Sequence, residues 1–265
     1  MNKSDGFFTH YDDRGAVLYD EMTSSHPTHR LVMRPSILYH LGNVEGLSVL
    51  DLASGDGDFL LRLLASGAER AMGADLSPEI VELSTEKLAA AGFAGRSKVV
   101  VADASVASAY EGAPFDAILC NFVICYSSSL SMVEGFCRNI AINLKPGGHC
   151  VLTNSQGALL SADRELMFTK YGVEYAEIDP VHGRERFSRV YCKFPNSWGT
   201  EFHYLDTGLI EQCARAAGLV PERVPVVPTA DLAASERWSR ADLAELSALV
   251  PFQQWILRAP AGAGR

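Results

Sequence analysis

Short apolar runs alternate with amphipathic segments along the first 155 residues, and this alternation predicts an α/β fold. The first run, residues 47–52, is apolar apart from one carboxylate, as expected of a strand that is covered on both faces. Further strands are predicted at residues 70–75, 98–105, 115–121 and 150–154, with helical segments between them. The pattern therefore predicts a mostly parallel sheet with helices packed on it.

The alternation stops after residue 155, and the predicted elements become less regular. Residues 156–206 predict a helix near 163–171 and two aromatic-rich strands, 185–194 and 200–206, joined by a hairpin loop at 195–199. A helix over 207–217, capped by Asp206 or Thr207 and closed by Gly218, precedes two last strands at 219–227 and 251–259. Two helices, 5–22 and 28–41, are predicted before the first strand.

Two glycines follow the first strand at the point where the next helix begins. Gly55 and Gly57 allow a tight turn and the close approach of a ligand to the helix N-terminus, which favours a nucleotide-like ligand. A dinucleotide fingerprint would place a third glycine where Leu60 stands, and a diphosphate would be repelled by nearby acids. These acids, which suit a positively charged ligand, are Asp51, Asp56 and Asp58. An ordinary β-turn-α unit is the plain alternative.

The segment Asp51-x-Ala53-x-Gly55-x-Gly57 resembles motif I of the class I S-adenosylmethionine-dependent methyltransferases. Asp75, the acid that ends the second strand, lies 18 residues after Gly57 in the sequence. This is close to the spacing at which a strand-end carboxylate reaches the ribose hydroxyls. The Leu-Lys-Pro-Gly-Gly turn before the fifth strand is another similarity. The resemblance implies a three-layer sandwich around a seven-stranded, mostly parallel sheet ordered 3-2-1-4-5-7-6. It also implies one domain over residues 1–265, comprising lid helices (1–44), a cofactor-binding core (45–155), a substrate-cap insertion (156–206) and the last helices and strands (207–258).

The resemblance further implies S-adenosylmethionine as the cofactor and assigns residues to it. Asp75 would accept from the ribose, Asp103 would accept from the adenine amine, and Ala104 would lend a backbone N–H. The complete set of cofactor-binding candidates is Tyr19, Arg34, Asp51, Ala53, Gly55, Gly57, Asp75, Leu76, Asp103, Ala104, Ser105 and Asn121.

Two further segments suggest the methyl acceptor. The segments at 120–126 and 202–206 are similar to the bacterial toxoflavin-synthase group, which implies a ring nitrogen of an azapteridine precursor as the acceptor. Such an N–H needs only a hydrogen-bond acceptor, whereas a phenol or an amine needs a base. The base candidates are His10, Tyr11, His182 and His203. The substrate-binding candidates are Tyr11, Tyr126, Tyr191, Trp198 and His203. O-methylation or amine N-methylation is the alternative. NAD-dependent oxidation or non-catalytic binding of the same cofactor would be a different class of function.

Composition and charge limit the kinds of substrate and partner that we expect. A net charge of -9 argues against a nucleic-acid substrate, because a phosphate backbone requires a basic surface. No apolar segment of about 20 residues indicates a membrane span, and no apolar run after residue 5 indicates a signal peptide. The 6 cysteines form no C-x-x-C pair, which favours buried free thiols in a reducing compartment. We therefore expect a cytoplasmic, metal-free enzyme, monomeric or homodimeric, that acts on a small molecule.

Overall fold

A computed structural model of the chain describes residues 28–155, 174–179, 187–193, 199–230, 238–249 and 252–262. The predicted helices at 5–22 and near 163–171 lie outside these ranges. The same holds for some of the predicted site residues, namely His10, Tyr11, Tyr19, His182 and Trp198.

The main sheet has seven strands, and its topology confirms the predicted order. The strands are β1 (Ser48–Leu52), β2 (Arg70–Asp75), β3 (Ser97–Val101), β4 (Phe115–Asn121), β5 (Leu144–Ser155), β9 (Val220–Val224) and β10 (Phe252–Arg258). They lie in the order β3-β2-β1-β4-β5-β10-β9, in which β10 is antiparallel to both of its neighbours. Because the first five strands are parallel, their carboxyl ends meet at one edge of the sheet.

Helices cover both faces of this sheet. They are α1 (Arg34–Leu41), α2 (Asp58–Ala65), α3 (Pro78–Ala90), α4 (Leu130–Asn143), α5 (Thr207–Ala216) and α6 (Arg240–Leu249), and a π-helical turn (Thr28–Met33) precedes α1. Apolar side chains of α4 and α5 form the core on one face, while those of α1, α2 and α6 form it on the other. β1 is buried along its whole length because it is covered on both sides, which explains its continuous apolar run.

Short polar side chains begin three of these helices, as the sequence predicts for two of them. Ser77 accepts a hydrogen bond from the Ile80 N–H at 3.2 Å, and Pro78 occupies the first position of α3. Asp206, rather than Thr207, caps α5 by accepting from the Gly208 N–H at 2.8 Å. Ser129 caps α4 in the same way.

A second, three-stranded sheet is formed by β6 (Glu174–Asp179), β7 (Phe187–Lys193) and β8 (Gly199–Leu205), in the order β6-β7-β8. The antiparallel pairing of β7 with β8 confirms the predicted hairpin. β6 was not predicted, because no alternating apolar pattern distinguishes it. β8 lies against a short 3-10 helix (Ile124–Tyr126) that follows β4, so this sheet sits next to the carboxyl edge of the main sheet.

Several predicted boundaries were wrong. The third strand ends at Val101 instead of residue 105, because the Asp103 side chain bonds locally to Ser105 and closes a turn. β5 already begins at Leu144, and Gly147 takes a positive φ of 78° within it. α6 was not predicted either.

The described helices include none that is long and apolar enough to cross a membrane. Five cysteines have described side chains, and each is a buried free thiol: Cys120, Cys125, Cys137, Cys150 and Cys213.

Candidate active site at the carboxyl edge of the sheet

The turn after β1 has an unusual backbone. Gly55 and Gly57 take positive φ values of 53° and 80°, as the sequence predicts, but Ala53 also has a φ of 60°. A residue with a Cβ is disfavoured in this region by roughly 1–2 kcal/mol. Phe122, which follows β4, has a φ of 53° as well. The two strained residues therefore follow neighbouring strands at the same edge, and such strain is concentrated at functional sites.

Asp75 ties this turn to the end of β2. Its Oδ2 accepts from the Gly55 N–H at 2.9 Å, and its Oδ1 accepts from the Ser77 N–H at 3.1 Å. Burial raises the pKa of Asp75, and these backbone hydrogen bonds act in the opposite direction. The carboxylate is thus held in one position beside the glycine turn, with each oxygen retaining a further lone pair for a ligand.

Asp51 has the most unusual electrostatic environment in the site. It is 2 % exposed, and no side chain or backbone group within the described part of the chain donates a hydrogen bond to it. Burial raises its pKa well above the ordinary value, and the nearby charges of Asp75, Asp56 and Asp58 raise it further. A buried carboxylate is costly unless a positive charge compensates it.

The neighbouring acids do have cationic partners. Asp56 pairs with Lys87 at 2.9 Å, and Asp58 pairs with Arg34 at 2.8 Å and with Arg62 at 3.0 Å. Arg34 is 8 % exposed and begins α1, so its guanidinium links that helix to the first residue of α2. A contact of Arg34 with the cofactor carboxylate stays a prediction.

The segment after β3 carries the predicted adenine contacts. Asp103 is exposed, and its Oδ1 accepts from both the N–H and the hydroxyl of Ser105, at 2.8 and 2.7 Å. Ala104 is 6 % exposed. Two large apolar side chains near this edge, Leu76 and Val106, are 69 % and 58 % exposed, which is unusual for their size.

Asn121, the last residue of β4, has a side-chain amide whose nitrogen and oxygen are both buried without a hydrogen-bond partner among the described residues. Buried polar groups are nearly always paired, so an exception requires an explanation such as a ligand. The next residue, Phe122, packs edge-on against Phe252 at 5.6 Å between ring centroids. This packing holds the strained turn in place.

The remaining substrate candidates lie near or in the second sheet. Tyr126 is half-buried beside β8. His203 lies in β8 opposite Arg189, and Tyr191 lies in β7 opposite Glu201, so these four positions share one face. The structure therefore places His203 and Tyr191 on the same face of the second sheet. The strand β8 of this sheet contacts the 3-10 helix that contains Tyr126.

The sequence analysis missed three residues that shape this site. Lys87 neutralises Asp56 from α3, and no sequence signal indicates this pairing. Phe122 takes its positive φ without a glycine. A Cβ on Gly73, in the middle of β2, would lie 2.6 Å from the Ser54 Oγ and 2.8 Å from a Leu60 methyl carbon. The signal for this close packing was available, because a glycine inside a strand often marks a close approach.

Among the described side chains, no group of three or more His, Cys, Asp or Glu residues is arranged to hold a metal ion.

Comparison with known proteins gives one family match, in the core of the sheet. Residues 49–148 match the model of a family described as a methyltransferase domain. The matched segment runs from β1 into β5, is similar to a methyltransferase domain, and contains the glycine turn, Asp75 and Asp103. No curated protein matches the chain.

Solved structures share the fold at low sequence identity. An S-adenosylmethionine-dependent methyltransferase from Mesorhizobium loti is 21 % identical with a TM-score of 0.60, and the match covers 89 % of this chain and 99 % of that one. The CcbJ methyltransferase from Streptomyces caelestis is 18 % identical with a TM-score of 0.63, and the match covers 96 % and 99 %. A complex that contains the Trm112 methyltransferase activator of Haloferax volcanii gives 17 % identity, a TM-score of 0.59 and coverage of 96 % and 98 %.

The residues at the edge fit S-adenosylmethionine, the cofactor that the sequence resemblance implies. S-adenosylmethionine carries an ammonium and a sulfonium but no phosphate, and Asp51 is a buried carboxylate without a described cation. Asp75 and Asp103 provide carboxylate oxygens for hydroxyl and amine donors.

Proposed function

We propose that this protein transfers a methyl group from S-adenosylmethionine to a small molecule, and that the acceptor is a ring nitrogen of a flat heterocycle of the toxoflavin-type azapteridine class. The observation that carries the first half is the buried Asp51, which no described cation neutralises. A diphosphate cofactor would add repulsion to this cluster of acids, whereas a sulfonium and an ammonium relieve it.

Each acid has a separate task in this proposal. Asp75 accepts from the ribose hydroxyls while it holds the Gly55 turn, and Asp103 accepts from the adenine amine through the oxygen that Ser105 leaves free. The exposed Leu76 covers an apolar face of the cofactor. The cofactor, once bound, supplies an activated methyl group on its sulfonium.

The acceptor half of the proposal is supported by Asn121. Its amide presents an NH2 donor beside a carbonyl acceptor, and both are buried without a partner in the described part of the chain. A heterocycle whose ring N–H lies next to a carbonyl presents the complementary pair, so Asn121 would orient the ring and leave another ring nitrogen free to face the methyl group. Tyr126 and the second sheet would exclude water from the acceptor.

O-methylation or amine N-methylation is a second proposal for the same domain. It is favoured by His203, which is half-buried in β8 and is the described candidate for a general base. A heterocyclic N–H with a pKa near neutral loses its proton to solvent before methyl transfer, so it needs no such base. The pH dependence of turnover and the loss of turnover in the His203→Ala variant therefore distinguish the two acceptor classes.

Titration calorimetry with S-adenosylhomocysteine and, separately, with NADH tests the cofactor. We expect micromolar binding of the first and none of the second. Incubation with S-adenosylmethionine and a panel of azapteridines, phenols and amines, followed by mass spectrometry, tests the acceptor. NADH binding without S-adenosylhomocysteine binding would refute the methyltransferase proposal. Cofactor binding without methylation of any panel member would favour a non-catalytic protein.

We also propose that the enzyme is cytoplasmic and that it is a monomer or homodimer. Light scattering would measure its mass and thereby test the oligomeric state.

A further inference from the structure

One face of α4 is built around the loop that follows β3. Gly135, Asn139 and Asn143 are spaced four residues apart and therefore form one row along the helix. Each of them meets the β3–β4 loop (residues 102–114), which carries Asp103. Asparagine is a poor helix former and is seldom fully buried, yet Asn139 and Asn143 are both 0 % exposed.

The two asparagines bind the loop backbone at several points. Asn139 Nδ2 donates to the Ala104 carbonyl at 2.9 Å. Asn143 Nδ2 donates to the Ser108 carbonyl at 2.7 Å, and its Oδ1 accepts from the Tyr110 N–H at 2.9 Å. Asn143 Nδ2 also donates to Asn139 Oδ1 at 2.9 Å, so the two side chains hold each other in place. Residues 102–110 have no regular secondary structure, so their backbone groups lack the hydrogen bonds that a neighbouring strand would provide. The two asparagine side chains supply some of these bonds instead.

Gly135 sets the distance between helix and loop. A Cβ at this position would overlap the backbone carbonyl oxygen of Ser105. The helix cannot move away easily, because Val133, Phe136 and Ile140 anchor it in the core with at most 3 % exposure. The loop residues 106–109 are exposed, so the loop is the side that would yield.

The position of Ser105 in turn determines the orientation of Asp103. Both the N–H and the hydroxyl of Ser105 bind Asp103 Oδ1, at 2.8 and 2.7 Å, which leaves Oδ2 for a ligand. A chain of contacts thus runs from Gly135 through Ser105 to the carboxylate.

We infer that Gly135, Asn139 and Asn143 are positioning residues that set recognition of the adenine base by aiming Asp103. The inference rests on the proposed function, in which Asp103 accepts from the adenine amine. Displacing a recognising group by about 1 Å can reduce its effect by up to 100-fold. Base selectivity would therefore depend on a helix that itself does not touch the base.

The test compares binding of S-adenosylhomocysteine with binding of S-inosylhomocysteine, in which a carbonyl replaces the adenine amine. We expect the wild-type protein to prefer adenine by about 100-fold, since Asp103 accepts from the amine and repels the carbonyl. Gly135→Ala should reduce this preference to less than about 10-fold, with weaker binding of S-adenosylhomocysteine. Gly95→Ala is the matched control: a Cβ there meets no atom within 4 Å, so it should change neither value.

A double-mutant cycle shows whether Gly135 acts through Asp103. Asp103→Ala should abolish the preference by itself, and adding Gly135→Ala should then have almost no further effect on it. Ser105→Ala keeps the inference testable if Gly135→Ala melts too low, because it removes one of the two bonds to Asp103 from a loop residue. We expect it to reduce the preference several-fold with an unchanged melting temperature.

The outcomes separate the proposed function from the role of α4. If the wild-type protein does not bind S-adenosylhomocysteine, the proposed function fails and this inference fails with it. If the wild-type protein binds with adenine preference and both Gly135→Ala and Ser105→Ala keep that preference, only the inference is refuted. It is refuted in the same way if the effects of Gly135→Ala and Asp103→Ala are additive.

Discussion

Replacing Asp51 by asparagine should stabilise the protein while weakening cofactor binding. Asp51 lies buried in β1 beside three other acids, with no described cation to compensate it. An asparagine side chain has nearly the same shape without the charge. Opposite effects on stability and affinity are typical of a residue kept for a ligand.

The magnitudes follow from the burial of the charge. Leaving a buried polar group unpaired costs about 1–3 kcal/mol, and more if it is charged. Because asparagine keeps part of that cost, we expect a net gain of about 1–2 kcal/mol, or a rise in Tm of roughly 2–6 °C. Loss of a charged partner for the cofactor ammonium should cost about 1.5–3 kcal/mol, which is roughly a 10- to 100-fold weaker Kd.

The pH dependence provides a second measurement. Since burial raises the pKa of Asp51 above its ordinary value of 3.8, the folded state binds the proton more tightly than the unfolded chain. Its contribution to the free energy of unfolding is therefore complete below pH 3.8 and is lost as the pH rises above it. Asp51→Asn should remove this loss, so the Tm difference from wild type should grow from acidic to neutral pH.

Asp116→Asn is the matched control at the other end of the sheet. Asp116 is partly desolvated, but it accepts from Lys145 at 2.7 Å and from the N–H and hydroxyl of Ser48, and these bonds lower its pKa to about 2. Its stabilisation is complete above pH 3.8 and is lost as the pH falls toward about 2. Asp116→Asn should lower the free energy of unfolding by about 1–2 kcal/mol, and with it the Tm, and leave the affinity unchanged.

Scanning calorimetry of the cofactor-free protein and titration with S-adenosylhomocysteine give both values for each variant. If Asp51→Asn lowers the Tm as Asp116→Asn does, or keeps the wild-type Kd within about twofold, the charge of Asp51 is compensated within the protein and the reasoning is wrong.

The remaining predictions concern the turn, the ribose contact and the N-terminal segment. Asp75→Ala should weaken S-adenosylhomocysteine binding by about 2–3 kcal/mol in calorimetry, because it removes ribose acceptors together with the anchor of the Gly55 N–H; an unchanged Kd would contradict the assignment. Gly55→Val should abolish cofactor binding and lower stability by only about 1–2 kcal/mol, since a β-branched residue is strained at a φ of 53°; a folded variant by circular dichroism that binds normally would show that the ligand lies elsewhere. Deleting residues 1–22, which contain Tyr11 and Tyr19, should reduce turnover far more than Tm, because the core lies outside them; full methyl transfer after deletion would remove both tyrosines from the site.

The local sequence determined the alternation of strands and helices, the glycine turn and the acids that follow β1, β2 and β3. These features depend on periodicity within about ten residues and on side-chain chemistry, so they can be read without knowledge of the fold. The order of the seven strands followed from the resemblance to a family and from the parallel β/α pattern.

Only the tertiary structure decided which groups meet across long stretches of chain. The pairing of Arg34 with Asp58 and of Lys87 with Asp56 depends on how helices pack, and no local pattern encodes it. The second sheet gained a strand, β6, through pairing with β7 and not through its own sequence pattern.

The same distinction holds within the site. The sequence indicated Asp51 because acids beside the glycine turn suit a positively charged ligand, whereas Asp103 became a candidate through the resemblance to a methyltransferase family. Their environments came from the fold, which buries Asp51 under both layers of helices and aims Asp103 through a loop held by Asn139 and Asn143. Burial and hydrogen bonding are properties of the packed chain, since the groups that desolvate or bind a side chain come from distant segments.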